Sequence, residues 1–376
     1  MDPNEKLNLR QRVQRSIRRR KPISPFWYLL IAAVLLGVCV LLKSLPAKKT
    51  AEYDGIAGTG LATLTFTGNI NCVGDGKTID AAGYESYFEG VKELFKKSDY
   101  LSVAINDPIL DDYIETYQSG MAIKFADKYF NSELAPALSA LGVTDATACN
   151  KELFRYGSKG ALETVHSLEM QDISVSGIDP FVAATSAVYS YDKIGDIEVL
   201  HVGIEASDDR TRNYSTYDLR TYNDVDNNID RDIAALREHN PEAFIAVTVS
   251  WGEYYLLKPS SYMKDICHRL IDSGADLVIG TGIQMVLSAE KYGEGYIFYG
   301  LGNLVSNEAY TMTQRGALLN CVFNSDGSVT YELVPLSVKN GMPVITDSSV
   351  ILRTLVSDIG KDAEYRIENG RLLLTK

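Results

Sequence analysis

Apolar and polar positions recur along this chain with two periods, and the switches between them mark its elements. Leu61–Phe66 (LATLTF), Leu101–Ile105 (LSVAI) and Ile197–Gly203 are short apolar runs that read as strands. Tyr84, Tyr87, Phe88, Val91, Leu94 and Phe95 lie on one helical face, which predicts a helix over Tyr84–Lys97. Similar patterns predict helices at Glu133–Leu141, Gly160–Leu168, Asn228–His239 and Tyr262–Asp272. After Asn307 the period becomes two. GALLNCVF and SVTYELVPL flank Asn324-Ser325-Asp326-Gly327, a hairpin signal, and KNGMP marks a further turn. Strands alternating with helices, then closing antiparallel strands, predict an α/β fold, an α+β sandwich over residues 61–376.

One stretch, Ala243–Asn307, organises the rest. Its apolar runs Phe244–Val249, Leu277–Ile279 and Ile297–Tyr299 each end in a polar or glycine-rich corner. The corners are Ser250-Trp251-Gly252-Glu253, Gly280-Thr281-Gly282-Ile283-Gln284 and Gly300-Leu301-Gly302-Asn303. Buried strands deliver loops to one edge of a sheet in this way, and sites are built at such edges.

Charge separates the N-terminus from the remainder. Residues 1–25 carry eight Lys/Arg against Asp2 and Glu5, a net of +6, so the −12 of the whole chain leaves −18 for the rest. An acidic body argues against a nucleic-acid partner. Phe26–Leu42 is seventeen uncharged residues with Trp27 and Tyr28 at its start, which reads as a transmembrane helix over residues 26–42. The basic tail (1–25) precedes it and only Lys43, Lys48 and Lys49 follow closely. The expected topology is single-pass in the cell membrane, with a cytoplasmic N-terminus, a linker (43–60) and an extracytoplasmic domain. A cleaved signal peptide is the alternative, but the basic region is long for one and no good small-x-small site follows. Val38 before Cys39 argues against a lipoprotein site. Five cysteines do not make a disulfide scaffold, although Cys72 and Cys149 follow the first and third strands and leave a disulfide and two reduced thiols both open.

The order of these corners resembles the capsule-synthesis CapA family, which has a calcineurin-like metallophosphoesterase fold. Family members show Gly-Asp after the first strand, Asn-Leu-Glu after the second and Asn-Asn-His after the third. Later they show His-Trp-Gly-x-Glu-Tyr, Gly-His-His-Pro-His and Ser-Leu-Gly-Asn-Phe. The resemblance covers about Ala62 to Val344 and implies a four-layer sandwich. Trp251, Gly252, Tyr255 and Leu301-Gly302-Asn303 match the family. Elsewhere the chain departs. Asn69 stands for the first Asp, Ala104-Ile105-Asn106 for Asn-Leu-Glu, and Cys149-Asn150-Lys151 for Asn-Asn-His. Ser250 replaces the histidine before Trp251, and Gly280-Thr281-Gly282-Ile283-Gln284 replaces the histidine-rich run.

A two-metal hydrolytic site needs carboxylates and neutral imidazoles to balance its cations. Asn69 and Ser250 offer oxygen without charge, Gly282 offers nothing, and Lys151 adds a repelling cation. The histidines, His166, His201, His239 and His268, fall on predicted helices or a strand and away from the corners. No metal, other cofactor or catalytic residue is therefore assigned. The expectation is a pseudoenzyme with a polar, uncharged cleft formed by Asn69, Asn150, Ser250, Trp251, Glu253, Thr281, Gln284 and Asn303. The resemblance implies capsule or poly-γ-glutamate work, with the cell membrane, an anionic envelope polymer or capsule-synthesis membrane proteins as partners. The alternative is an active metal-independent or weakly metal-dependent hydrolase or transferase using Glu253 with Asp75. A purely structural envelope component is the third reading. Asp99 and Asp107 are further corner carboxylates, read as solvated, and Gly280-x-Gly282 is a weak anion cradle. Trp251 fits ligand stacking and packing equally.

Overall fold

The computed structural model describes residues 27–28, 30–34, 53–72, 83–110, 128–178, 189–206, 229–252, 255–360 and 363–375. Trp27, Tyr28 and residues 30–34 are helical, and their apolar side chains are exposed. Phe26, Leu29 and residues 35–42 of the expected membrane segment lie outside the described residues, among which no helix is long and apolar enough to cross a membrane.

Two sheets carry the main unit. The larger has ten strands, with a path β17 (Tyr365–Glu368), β18 (Arg371–Thr375), β15 (Val329–Lys339), β14 (Arg315–Phe323), β1 (Ala62–Ile70), β2 (Tyr100–Ile105), β5 (Asp145–Thr147) and β6 (Ser174–Ser176). Off this path, β13 (Asn303–Val305) pairs with β1 and β16 (Met342–Ile345) with β15. The second sheet runs β11 (Ala289–Tyr292), β12 (Gly295–Phe298), β10 (Leu277–Thr281), β9 (Phe244–Trp251), β8 (Ile197–Ala206) and β7 (Tyr189–Ile194). A short parallel pair, β3 (Ile109–Leu110) and β4 (Phe130–Asn131), stands apart. β1, β2, β5 and β6 are mutually parallel, as are β8, β9, β10 and β12.

Strand side chains alternate between faces, and here that alternation builds four layers. Leu64, Phe66 and Tyr100 of one sheet meet Phe244, Ala246, Leu277 and Phe298 of the other in a core between the sheets. Leu101, Val103 and Ile105 face outward onto α1 (Lys92–Phe95), α2 (Leu134–Ala140) and α3 (Gly157–Glu169). Ile245, Val247 and Val278 face outward onto α4 (Ile229–His239) and α5 (Ser261–Asp272), whose buried Ile233, Met263, Ile266 and Leu270 follow the predicted stripes. The observed class is α/β. A last helix, α6 (Ser349–Leu355), packs Ile351, Leu352 and Leu355 into the core between the sheets.

Four expectations need correction. The helix over Tyr84–Lys97 is broken into a 3-10 turn (Tyr84–Phe88) and α1. Gly90 sits between them, and a Cβ there would lie 2.2 Å from the Pro343 carbonyl oxygen, so the backbone at the break packs directly against β16. The linker does not extend to Gly60. Tyr53 donates to the buried Glu332, Ile56 N–H donates to the same carboxylate at 3.1 Å, and Leu61 N–H pairs with Phe323 O. A carboxylate with no exposure needs these donors, which tie the segment to the sheet. β1 runs past Phe66 to Ile70 because Asn69 and Asn71 N–H bond to Gly302 and Val305 on the β13 side. β8 runs past Gly203 to Ala206 because it pairs with β9 as far as Trp251.

Candidate functional site

The faces that look between the sheets change character along their length. On β8 the inward positions are Val199, His201, Gly203 and Glu205; on β9 they include Ala246, Thr248 and Ser250; on β2 they include Tyr100 and Ser102, with Asn106 just past the strand's end. The apolar end is the core already described. Next comes a polar cluster sealed from solvent. Asp145, with no exposure, accepts from Ser102 at 2.6 Å and Ser190 at 2.6 Å. It also pairs with His201 Nδ1 at 2.8 Å, while His201 Nε2 meets Thr248 Oγ1 at 2.8 Å. Burial pushes the Asp145 carboxyl up, but the adjacent His201 and the two hydroxyl donors outweigh it and hold the pKa below the ordinary value. Gly203 follows. A Cβ on it would lie 2.9 Å from Gly177 Cα, so the backbones close together between His201 and Glu205.

Past that closure the strand ends deliver a layer of asparagines. Asn69 Nδ2 donates to Gly302 O and Asn303 Oδ1, both at 3.1 Å, and its Oδ1 accepts Gly282 N–H at 2.7 Å. Asn71 Nδ2 also donates to Asn303 Oδ1 at 3.0 Å, and Asn106 Nδ2 donates to Asn71 Oδ1 at 3.1 Å. Asn303 Nδ2 completes the chain at Thr313 O, 2.9 Å. The Asn69–Gly282 bond ties β1 of the larger sheet to the end of β10 of the second. Carboxamides suit this work, since each presents donor and acceptor together.

Above this layer lies a cavity of about 190 Å³. Its larger-sheet wall includes Asn71, Asn106 and the 3-10 turn Lys151–Tyr156, which carries Lys151 and Arg155. Asn150 caps that turn: its Oδ1 accepts Glu152 N–H at 2.9 Å, and its Nδ2 donates to Ile105 O at 2.6 Å. The opposite wall holds Glu205, Ser250 and Gln284. Lys151 Nζ reaches across and donates to Gly252 O at 3.4 Å. Arg155 bonds Asp107 at 2.7 Å and Glu152 at 2.6 Å. Burial raises the Asp107 pKa despite the opposing pull of Arg155. Gln284 holds φ at +62°, a conformation costly for a side chain with a Cβ and concentrated at functional sites.

The sequence-based candidates divide. Asn150, Ser250, Trp251 and Gln284 line the cavity; Asn69, Thr281 and Asn303 are buried away from it. Glu253 and Asp75 lie outside the described residues. The cleft is not uncharged. Among the described residues Lys128, Lys151 and Arg155 face it with Asp107, Glu152, Glu205 and Glu308, so three positive and four negative groups give −1. Asp107 is therefore not a solvated loop carboxylate, and Asp99 accepts Thr63 N–H at 2.8 Å in a turn. Trp251 packs in the outer core with Nε1 on Tyr299 O at 2.9 Å, so its ring is structural. Gly280 is needed for that packing, as a Cβ would meet Tyr299 O at 2.0 Å; the Gly282 N–H is taken by Asn69, so the pair makes no anion cradle. Cys72 and Cys149 are separate buried thiols, each pushed up to about 12 by burial, with sulfur toward Tyr129 O and Thr248 O. Glu205 was missed because β8 runs farther than its apolar run, and Asn71 because it follows a β1 that does the same. Lys128 and Glu308 come from segments without periodicity, and no local signal marks them.

The residues present do not fit a two-metal centre. Both ends of the Asn69 amide are used, Asn150 is a cap, and Lys151 brings a cation to the same wall. Among the described residues no three of His, Cys, Asp and Glu are grouped to hold a metal ion.

Comparison with known proteins adds context to this geometry. The model of the family described as "Bacterial capsule synthesis protein PGA_cap" matches residues 63–308. The chain is 24% identical over 311 residues to a Bacillus subtilis "PGA biosynthesis protein CapA", covering 79% of this chain and 77% of that one. It is 25% identical over 326 residues to a Bacillus anthracis "Capsule biosynthesis protein CapA", covering 82% and 76%. Among solved structures, a hypothetical protein from Thermus thermophilus is similar over 76% of this chain and 97% of its own, at 13% identity and a TM-score of 0.43.

Proposed function

The chain belongs to the bacterial capsule synthesis family PGA_cap, and from that premise we propose a binding role without metal-dependent catalysis. It is related to proteins of capsule and poly-γ-glutamate biosynthesis. In this reading the four layers are the calcineurin-like metallophosphoesterase arrangement, and the cavity at their edge holds an anionic envelope polymer. The carrying observation is the asparagine layer: Asn69 and Asn106, which stand where the resemblance puts the family's first Asp and its Glu, are joined through Asn71 and Asn303 in one chain of hydrogen bonds. A committed carboxamide neither neutralises a cation nor activates water.

Membrane anchoring is part of the same proposal. The uncharged run Phe26–Leu42 behind a basic tail supports it, as do the exposed apolar side chains of Trp27, Tyr28, Leu30, Ile31 and Val34. The protein then holds polymer on the outer face of the membrane. The test is retention of poly-γ-glutamate by the full-length protein in lipid nanodiscs. Retention is expected without release of glutamyl fragments, falling about tenfold in Lys151→Glu, roughly 1.4 kcal/mol. Fragment release by the purified protein, or no retention, contradicts the reading.

A further inference from the structure

The cavity's size and charge narrow what it takes. About 190 Å³ is below the roughly 300–1,000 Å³ of pockets that enclose drug-sized ligands, so it admits one residue-sized group. Its walls are chemically opposed. The second sheet presents the Glu205 carboxylate and the Ser250 hydroxyl, neighbours in register on β8 and β9. The larger sheet presents the Lys151 ammonium from the turn capped by Asn150. The net charge of −1 from the described lining groups gives a purely anionic ligand no overall attraction.

A ligand with an ammonium and a carboxylate on one carbon satisfies both walls at once. In a γ-linked glutamyl chain only the amino end has that form: interior units present carboxylates alone, and the carboxyl end presents two. At the mouth, Tyr255 and Tyr310 are 48% and 53% exposed and meet edge-to-face at 6.3 Å. Tyr255 lines the cavity with φ at +62°. That pair offers a surface on which the next units can lie.

We propose that this cavity recognises the zwitterionic amino end of a γ-linked acidic chain, with its ammonium at Glu205 and Ser250 and its α-carboxylate at Lys151. This inference rests on the polymer-binding reading above and adds that an end, and not the interior, is held. Such a site would meter a chain by its terminus.

Calorimetry on the full-length protein in nanodiscs tests it with three probes: γ-linked triglutamate, its N-acetylated form, and long poly-γ-glutamate. Triglutamate is expected to bind, and acetylation, which removes the ammonium and keeps the carboxylates, to weaken it at least tenfold. Glu205→Gln should reduce that ratio toward one, a change that a general loss of fold would not produce. Equal affinity for the acetylated trimer, or binding of the long polymer alone, overturns end recognition and leaves the polymer reading standing. No binding of any probe overturns both.

Discussion

Two polar regions lie on the same inward strand faces, one around His201 and Asp145 and the other around Glu205 and Ser250, with Gly203 closing the backbone between them. The first contains a carboxylate, an imidazole and hydroxyls, the ingredients of nucleophilic catalysis, yet every one of those groups has a partner inside the protein and His201 is 1% exposed. The second lacks an imidazole among its described residues but opens to a cavity with charges of both signs. Residue types alone would favour the first as a site. Access, with charge of both signs at the opening, favours the second. The sealed cluster specifies how the sheets pack, and the open one is placed to meet a ligand.

Breaking the sealed cluster should have the largest effect. Asp145→Ala leaves His201, Ser102 and Ser190 without their shared acceptor and is expected to cost about 3–5 kcal/mol, read by denaturant or thermal unfolding of the full chain. Because the folded Asp145 pKa is depressed, the native protein's contribution from this group is present above the ordinary carboxylate range near pH 4 and is lost as pH falls below it. A loss under about 1 kcal/mol would show that the cluster is not structural.

At the cavity, Arg155→Ala strips the buried Asp107 of its ion pair and is expected to cost about 3 kcal/mol at pH 7. The folded Asp107 pKa is raised and rises further without Arg155, so the loss should shrink as pH falls and the carboxyl protonates. A loss independent of pH would contradict the pairing. Asn69→Asp, which restores the family residue, is expected to destabilise by about 1–3 kcal/mol, because a carboxylate cannot donate to Gly302 O and Asn303 Oδ1. It should confer no metal-dependent rise in melting temperature. A rise with Mn²⁺ would mean that the amide layer is one substitution from a metal centre.

The smallest effect concerns Asp192, beside the sealed cluster. Burial and the nearby Asp145 raise its pKa to about 6. Any stabilisation tied to its protonated form is complete below about pH 4 and fades as pH rises through 6. Asp192→Asn should therefore raise the melting temperature at pH 7 and leave it unchanged at pH 4, as read by calorimetry across that range.

Much of the fold was legible because amphipathic helices and buried strands carry their own periods. The stripes of α4 and α5 and the runs of β9 and β10 lie where the sequence implies, while β12 starts at Gly295, two residues before its expected run, and ends at Phe298. The period over Tyr84–Lys97 marks the buried face but not the break at Gly90, where the backbone packs closely against Pro343 of β16. The site was legible as a set of strand ends and illegible in detail. Asn71 and Glu205 sit past where hydrophobicity stops, and only pairing with β13 and β9 carries the strands that far. Part of the cavity's charge comes from Lys128, Glu152, Arg155 and Glu308, brought together with Lys151, Asp107 and Glu205 by tertiary contacts such as the 3.4 Å Lys128–Glu308 pair.

The central claim is that the asparagine layer has taken the place of a catalytic metal centre. Metal analysis of the purified full-length protein, with phosphoesterase turnover measured on the same sample, tests it most directly. The expected result is less than about 0.1 equivalent of Mn, Fe or Zn, with no turnover above that of buffer. Stoichiometric metal with turnover abolished by chelation would contradict it.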